Sequence, residues 1–312
     1  MKEFLPGKSL TFETYQQLCW VKVHEPSRVF QEAWKRKKPP LPGTRGKLLI
    51  LAADHNARMI TAYEDSEITL GNRYQYLARL CRLLEGTAVD GIEGTPDILE
   101  DLILVDYLQR QKGRESFLNN KILIGTVNRG GLLGTTWEMD DRPLSFSEEG
   151  IEKLRLDGIK FMLRINPEDS NSGKTLSYCA EAVNLALKRK IPIFIESLYV
   201  TRGKNGIKIE TKTPELVKAI GVALGLGTSS SHKWLEVPFS EDFQQVLLAA
   251  SGPVLVVQEE KEKSSERIVR EYCKGISGGE NVMGTLLGRN ILFAREDPLE
   301  LAREIARLWK VG

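Results

Sequence analysis

Eight short apolar runs, separated by amphipathic stretches, constrain the fold of this chain more than any other feature. The runs lie at residues 47–53, 90–94, 121–127, 158–165, 191–197, 233–237, 253–257 and 282–288. Strands that are buried on both faces require continuous apolar character rather than strict alternation, as these runs have. The sequence therefore predicts eight parallel strands.

The stretches between the runs have the start signals of helices. Prolines follow a capping residue at Thr95-Pro96, Thr213-Pro214 and Asp297-Pro298. Residues 74–86 place apolar side chains three and four positions apart and end in glycine. Eight strands that are each followed by a helix predict a closed (β/α)8 TIM barrel with right-handed crossovers. An open doubly wound sheet is the alternative, although no GxGxxG motif follows the first run.

The residues before the first run differ from the rest in composition. They include the basic cluster Lys35-Arg36-Lys37-Lys38, followed by Pro39 and Pro40. Such a cluster is typical of a solvated helix end that leads into a linker, although it could also bind a polyanion. We therefore expect an N-terminal helical extension over residues 1–46 and a barrel over residues 47–312.

Charge and composition argue against several classes of protein. The chain has 44 Lys and Arg residues and 42 Asp and Glu residues, so a net charge of +2 creates no field for nucleic acid or membrane. No apolar run reaches about 18 residues, and the N-terminus lacks a signal-peptide core. The four cysteines lie far apart without metal-ligand spacing. We therefore expect a soluble cytoplasmic protein with reduced thiols.

Three residues near strand ends are candidates for catalysis, because the chemistry of a barrel lies where its strands end. Lys160 lies inside the fourth run, Glu196 near the end of the fifth, and Asp54 directly after the first. If Lys160 points inward, burial lowers its pKa and frees the amine to attack a carbonyl, or the lysine remains charged and binds a hydroxyl or carboxylate group. Otherwise it is a helix-facing or ion-paired lysine. Glu196 is a candidate partner of Lys160 for proton transfer or for structure. Asp54 is a candidate acid or base, an N-cap, or a partner of Arg58.

Several other residues are candidates for binding an anion. Gly288 and Arg289 follow the eighth run, where a glycine amide and a guanidinium group could hold a phosphate. Asn128 and Arg129 follow the third run and could hold an anion or simply form a turn. Arg164 ends the fourth run and lies on the same face as Lys160.

A metal site is the main chemical alternative. The chain contains three histidines and no HxH or HExxH motif. Asp54, His55, Glu93 and His232 could converge, but metal-dependent barrels usually contain more histidines. We therefore predict no metal and no cofactor.

Several segments, in this order, resemble the class I aldolases of the deoxyribose-phosphate and tagatose-1,6-bisphosphate aldolase superfamily. The resemblance spans about residues 47–295 and is carried by ILAADHNARM, DGIKFMLRINPED, IPIFIESLYV and GTLLGRNIL. A closer similarity is to a bacterial branch of barrel proteins that are often named as aldolases. The segments GTPDILEDL, NRGGL and SSSHKWLEVP carry this second resemblance.

The resemblance implies roles for individual residues. Asp54 would match the catalytic aspartate, Lys160 the fourth-strand lysine and Glu196 the proton-transferring glutamate. Gly288 and Arg289 would match part of the phosphate-binding site.

The sequence departs from the family pattern at two strands. The Schiff-base lysine of the family lies on the sixth strand, where this chain has Trp234 with Lys233 one residue early. Either a bulge returns Lys233 to the mouth, or Lys160 is the nucleophile, or the imine chemistry is lost. After the seventh strand, Gln258-Glu259-Glu260-Lys261 replaces a small glycine-rich phosphate loop, and its two glutamates would repel phosphate.

These observations lead to one main hypothesis and two alternatives. We expect a class I (Schiff-base) aldolase or lyase that acts on a sugar phosphate or sugar-acid phosphate. A metal-assisted lyase or an isomerase on the same barrel is the first alternative, and a non-catalytic barrel that binds sugar phosphates is the second. The sequence leaves the oligomeric state open, and a homo-oligomer is compatible with it.

Overall fold

Nine strands and eleven helices are present in the described part of the structure, which is a computed structural model. It describes residues 4–40, 46–63, 67–203, 206–258, 265–275, 279–294 and 296–311. The strands are β1 (Leu48–Ala53), β2 (Gly91–Gly94), β3 (Ile122–Thr126), β4 (Gly158–Ile165), β5 (Ile193–Gly203), β6 (Gly206–Ile209), β7 (Lys233–Pro238), β8 (Val254–Val257) and β9 (Val282–Leu287).

The parallel strands close into a ring. β1 pairs with both β2 and β9, and β4 pairs with β5. Each parallel strand therefore has a parallel neighbour on both sides, and the sheet closes on itself. The predicted (β/α)8 barrel is confirmed, and the open doubly wound sheet is excluded. The sixth, seventh and eighth predicted strands are β7, β8 and β9.

One strand was not predicted. β6 pairs antiparallel with the end of β5, from Val200 opposite Ile209 to Gly203 opposite Gly206. β5 is therefore longer than the apolar run at residues 191–197, and it forms a hairpin with β6 beyond the barrel rim.

The helices surround the ring and follow its strands. They are α1 (Phe12–His24), α2 (Arg28–Lys35), α3 (Arg73–Leu84), α4 (Pro96–Gln111), α5 (Glu148–Lys153), α6 (Asn171–Arg189), α7 (Thr213–Gly225), α8 (Phe243–Leu247), α9 (Ser265–Lys274), α10 (Arg289–Leu292) and α11 (Pro298–Val311). As predicted, α4 and α11 begin at Pro96 and Pro298. Within the described ranges, no helix has the length and apolar character needed to cross a membrane.

Apolar side chains fill one half of the barrel interior. They form a buried cluster of Leu48, Ile50, Ile122, Ile124, Phe194, Trp234, Leu255 and Leu286. The rings of Phe194 and Trp234 lie 5.5 Å apart between centroids. Because this packing fills the barrel below the strand ends, the polar groups above it open only toward the carboxyl-terminal mouth.

The segment before β1 packs against the barrel rather than extending from it. α1 and α2 both contact α4. Arg36, which is 6% exposed, donates hydrogen bonds to the Lys121 and Arg155 carbonyls and to Asp157 Oδ2, each 2.8 Å long. This contact corrects the expectation of a fully solvated basic cluster, because its arginine is buried and paired with a carboxylate.

Candidate active site

A cavity of about 550 Å³ opens at the carboxyl-terminal ends of the barrel strands. Charged side chains from several strands form its floor, among them Lys160, Glu93 and Glu196. Apolar side chains, including Leu198 on β5 and Ile207 on β6, line one wall. The β5–β6 hairpin thus contributes apolar side chains above a charged floor, the usual arrangement of a small-molecule site.

Lys160 lies at the centre of four carboxylates. Its Nζ is 2.5 Å from Glu93 Oε1, 3.0 Å from Glu196 Oε2, 3.4 Å from Asp54 Oδ2 and 3.5 Å from Glu236 Oε2. The expected contact with Glu196 is present, and Lys160 points into the barrel. The helix-facing alternative for this lysine is therefore excluded.

The carboxylates reverse the expected effect of burial on Lys160. Burial alone would lower the pKa of the ammonium group, but Glu196, Glu236 and Glu93 together raise it above the ordinary lysine value. These charges therefore favour the protonated form of the amine at neutral pH. This corrects the expectation of a free amine produced by desolvation.

The acidic residues of the cluster differ in their proton affinity. Burial raises the pKa of Glu93 well above its ordinary value, with a further increase from Glu236, and burial also raises the pKa of Glu236. At Glu196 burial acts in the same direction, but Lys160 and Arg129 outweigh it and lower the pKa. Glu196 is therefore an ionised base, whereas Glu93 and Glu236 retain protons more readily.

Asp54 is fixed from two sides above the lysine. It forms a salt bridge with Arg129 and accepts a hydrogen bond of 2.9 Å from Thr126 Oγ1. Its proposed pairing with Arg58 is wrong, because Arg58 Nη2 lies 2.7 Å from Glu138 Oε1 instead. Arg129 lines the cavity, so it holds Asp54 and also faces the space where a substrate would bind.

Two predicted anion-binding residues have structural contacts instead. The side-chain amide of Asn128 donates to the Met162 carbonyl and accepts from the Met162 N–H, both at 2.8 Å. Arg164 is 2% exposed and lies 2.8 Å from Glu138 and 2.9 Å from Asp141. Neither residue lines the mouth cavity. These predictions are corrected, since both side chains join β4 to the chain after β3.

Lys233 does not reach the mouth. Its ammonium group donates to the carbonyl oxygens of Ala223 at 3.2 Å, Leu224 at 2.6 Å and Leu226, all near the end of α7. β7 places Trp234 inside the barrel, so the residue before it points outward. The expectation that a bulge returns Lys233 to the mouth is therefore corrected.

Gly288 and Arg289 do line the cavity, at the end of β9. The Gly288 N–H lies 3.3 Å from the Tyr272 hydroxyl oxygen and donates to it. Arg289 is therefore a better candidate than the glycine amide for holding an anion. The cavity also includes Gln258, while the predicted acidic loop of Glu259, Glu260 and Lys261 lies outside the described residues.

The four residues considered for a metal do not converge. Asp54, His55 and Glu93 line the cavity, but His232 precedes β7 at the opposite end of the barrel. Across the described ranges, no group of three or more His, Cys, Asp or Glu side chains is arranged to hold a metal ion.

Two members of the cluster had no assigned role as partners of Lys160. Glu93 was considered only as a metal ligand, and no role was predicted for Glu236. Each is a glutamate inside a short apolar run, the same signal that identified Lys160. An ionisable residue in a doubly buried strand requires a partner, so these residues could have been paired with the lysine.

Comparison with known proteins identifies the family. A family model described as Cgl0159-like matches residues 46–307. The crystal structure of Cgl0159 from Corynebacterium glutamicum (Brevibacterium flavum) is 30% identical, covers 97% of this chain and 98% of that chain, and has a TM-score of 0.88. No curated protein matches the chain.

More distant structures share the fold. An archaeal fructose 1,6-bisphosphate aldolase is 19% identical, over 91% of this chain and 100% of that chain, with a TM-score of 0.61. A Schiff base forming fructose-1,6-bisphosphate aldolase is 22% identical, over 90% and 99% of the two chains, with a TM-score of 0.60. At these levels of sequence identity, the structural similarity shows only that this chain shares the barrel fold of these aldolases.

Proposed function

The chain belongs to the Cgl0159-like family, and from that premise we propose that it is a class I aldolase whose Lys160 forms a Schiff base with its substrate. The substrate class is a sugar phosphate or sugar-acid phosphate. One observation carries the proposal: the Lys160 amine lies on the floor of the mouth cavity, with Glu93 2.5 Å and Glu196 3.0 Å away. The likeness to aldolase barrels supports it at the level of the fold.

The reaction requires an amine, an electron sink and an acid or base. After losing a proton, Lys160 attacks the substrate carbonyl, and loss of water leaves an iminium ion. The iminium ion accepts the electron pair of the carbon–carbon bond as it breaks. Glu196 or Asp54 takes the proton from the hydroxyl group at that bond, which becomes the carbonyl of the released aldehyde.

The remaining cations of the cavity suit an anionic substrate. Arg289, Arg129 and Lys208 line it on different sides. Arg129 also balances Asp54, so Arg289 is the main candidate for the phosphate or carboxylate end of the substrate.

Borohydride trapping tests the proposal. The protein is incubated with aldehydes, ketoses and keto-sugar phosphates, reduced, and digested for peptide mass spectrometry. We expect a stable adduct on Lys160, and none on this peptide in Lys160→Met. Lys233→Met is the matched control, because its amine is bonded to the carbonyls of α7 and should leave trapping unchanged. Folded protein that forms no Lys160 adduct with any carbonyl would overturn the proposal.

An isomerase or epimerase is the second candidate, favoured by the four carboxylates that keep Lys160 protonated. In that case the ammonium group would polarise a carbonyl, and Glu196 would remove a proton from the adjacent carbon. This reaction predicts incorporation of solvent deuterium into the substrate without any trapped adduct. The two candidates are therefore separated by the same set of incubations.

A further inference from the structure

Glu93 and Glu236 form a buried carboxyl pair beneath Lys160. They lie on β2 and β7 and both are 0% exposed. An oxygen of each lies against the same amine, 2.5 Å from Lys160 Nζ for Glu93 and 3.5 Å for Glu236. Glu93 lines the mouth cavity, whereas Glu236 does not. Glu236 is therefore close to the reacting amine but shielded from the substrate.

Three of the four oxygen atoms of this pair accept no hydrogen bond from the described residues, and the fourth, Glu93 Oε1, accepts one from Lys160. Glu93 Oε2 and both oxygens of Glu236 are buried and receive no hydrogen bond in the described part of the chain. Two ionised carboxylates at this distance would repel each other and leave these oxygens unsatisfied, which is costly in a buried site. A single proton between them removes the repulsion and creates a hydrogen bond.

We propose that Glu93 and Glu236 share one proton before substrate binds, and that this pair is the base that deprotonates Lys160. The proposal extends the Schiff-base function of Lys160 to residues that the aldolase resemblance does not assign. Glu93 is the direct acceptor. Glu236 is a positioning residue, since it lies 3.5 Å from the amine without lining the substrate cavity and holds the shared proton that sets the charge of Glu93.

The proton transfer balances in charge at every step. Before substrate binds, the ammonium group carries +1 and the carboxyl pair −1. The proton moves across the 2.5 Å contact from Nζ to Glu93 Oε1, which leaves a neutral amine above two neutral carboxyl groups. The amine then forms its bond to the carbonyl carbon as the carbon–oxygen π bond breaks. One of the two protons on nitrogen moves to the former carbonyl oxygen, which gives a neutral carbinolamine with a hydroxyl group. Glu93 returns the proton to this hydroxyl, which leaves as water, and the iminium ion faces an anionic pair again.

With this assignment, two different bases serve the two proton transfers of the reaction. The carboxyl pair takes the proton of the Lys160 amine, and Glu196 takes the proton of the substrate hydroxyl. Burial raises the proton affinity of Glu93 and Glu236, so these two accept the lysine proton more readily than Glu196 does. Lys160 and Arg129 keep Glu196 ionised despite its burial. Glu196 therefore remains available for the substrate hydroxyl after the pair has taken up the proton of the amine.

Infrared difference spectroscopy of the substrate-free protein tests the shared proton directly. At neutral pH we expect wild-type protein to show the carbonyl stretch of a neutral carboxylic acid, shifted in D₂O. The band should disappear in Glu236→Gln and in Glu93→Gln, and persist in Glu149→Gln, which alters an exposed glutamate. Circular dichroism checks that each variant is folded. Absence of the band in wild type, or its persistence in both pair variants, would overturn the proposal.

Rapid-quench borohydride trapping tests the role of the pair in imine formation. Glu93→Gln should slow imine formation by about 10²–10⁴-fold, the usual contribution of a general base. Glu196→Gln should still form the trapped adduct but fail to cleave it. Glu236→Gln keeps a hydrogen-bond donor beside Glu93, so imine formation should continue. The pH profile of its rate should lack the ionisation that belongs to the Glu236 carboxyl group. Equal rates in wild type and Glu93→Gln would exclude the pair as the base.

The two experiments fail independently. A neutral-carboxyl band without any lysine adduct would reject the Schiff-base function and leave the shared proton. An adduct on Lys160 without the band would support the Schiff base and reject the carboxyl pair as its base.

Discussion

At Lys160, burial and charge act on one amine in opposite directions. Desolvation favours the neutral amine, while three buried glutamates favour the ammonium ion, and the charges prevail. In the proposed mechanism, the amine is held as an ion pair and becomes a nucleophile after proton transfer within the cluster. This arrangement needs each partner to lie within about 4 Å, because interaction between charges weakens with distance.

Replacement of Lys160 by methionine should destabilise the fold in a pH-dependent way. Removal of the ammonium group leaves buried carboxylates without their cation, at a cost of about 3–5 kcal/mol at pH 8. The folded-state pKa values of these carboxyls then rise above their unfolded values. The variant therefore loses more of its free energy of unfolding as pH increases, and the loss is smaller near pH 5. Urea unfolding at the two pH values measures the effect.

Lys153→Met is the control, because Lys153 forms an exposed i,i+4 ion pair with Glu149. Its effect should stay within about 1 kcal/mol at both pH values. Equal destabilisation of Lys160→Met at pH 5 and pH 8 would contradict the charge-based explanation.

At the scale of elements, β4 connects the site to the chain that follows β3. Lys160 and Arg164 share one face of the strand; the first lies on the cavity floor and the second binds Glu138 and Asp141. Glu138 also accepts from Arg58, which lines the cavity. The segment after β3 is therefore held by buried ion pairs rather than by regular secondary structure.

Replacement of Glu138 by glutamine should loosen this segment. The change leaves two buried guanidinium groups, those of Arg58 and Arg164, without a shared carboxylate. We expect a loss of about 3–5 kcal/mol in the free energy of unfolding and faster amide exchange over residues 130–141. Hydrogen exchange with mass spectrometry gives the second quantity.

The same segment contains its own control. Asp140 forms ion pairs with Arg142 and Lys174, whose side chains are more than half exposed, so Asp140→Asn should cost about 1 kcal/mol or less. If both variants exchange alike, the buried pairs do not hold the segment.

At the scale of the molecule, the N-terminal extension and the barrel share a buried contact. Arg36 reaches residues directly before β3 and β4, namely Lys121 and Asp157. Asp157 also accepts a hydrogen bond of 3.0 Å from the Leu123 N–H. We therefore propose that residues 1–46, although a separate segment in sequence, unfold together with the barrel.

Arg36→Met tests this coupling between the two segments. Loss of the guanidinium group leaves Asp157 buried without its main cation, which should cost about 3–5 kcal/mol. The variant should still unfold in one transition by fluorescence and circular dichroism, because α1 and α2 remain packed on α4. Lys35→Met is the control, because the Lys35 side chain is 58% exposed and its partner Glu32 keeps a second ion pair with Arg110. Two separate transitions in wild type would show that the extension is an independent unit.

The sequence by itself determined the order and number of the barrel strands, because continuous apolar runs with helix signals between them favour a closed parallel sheet. It also indicated Lys160, Glu196 and Asp54 as candidate site residues. Each lies within or directly after an apolar run, where burial of a charged group is costly unless the group has a partner. Because the reactive groups of a barrel lie at its strand ends, candidate site residues could be predicted from the end of each strand in turn.

Only the tertiary structure decided which strand residues face inward and which charges meet. In a doubly buried strand both faces are apolar, so the pattern does not show that Lys233 points to α7 while Glu236 points to Lys160. Asn128 and Arg164 look like anion ligands in sequence, but closure of the barrel places their partners beside them. Glu93, Lys160 and Glu236 come from three strands, and their coupling arises only when the ring closes.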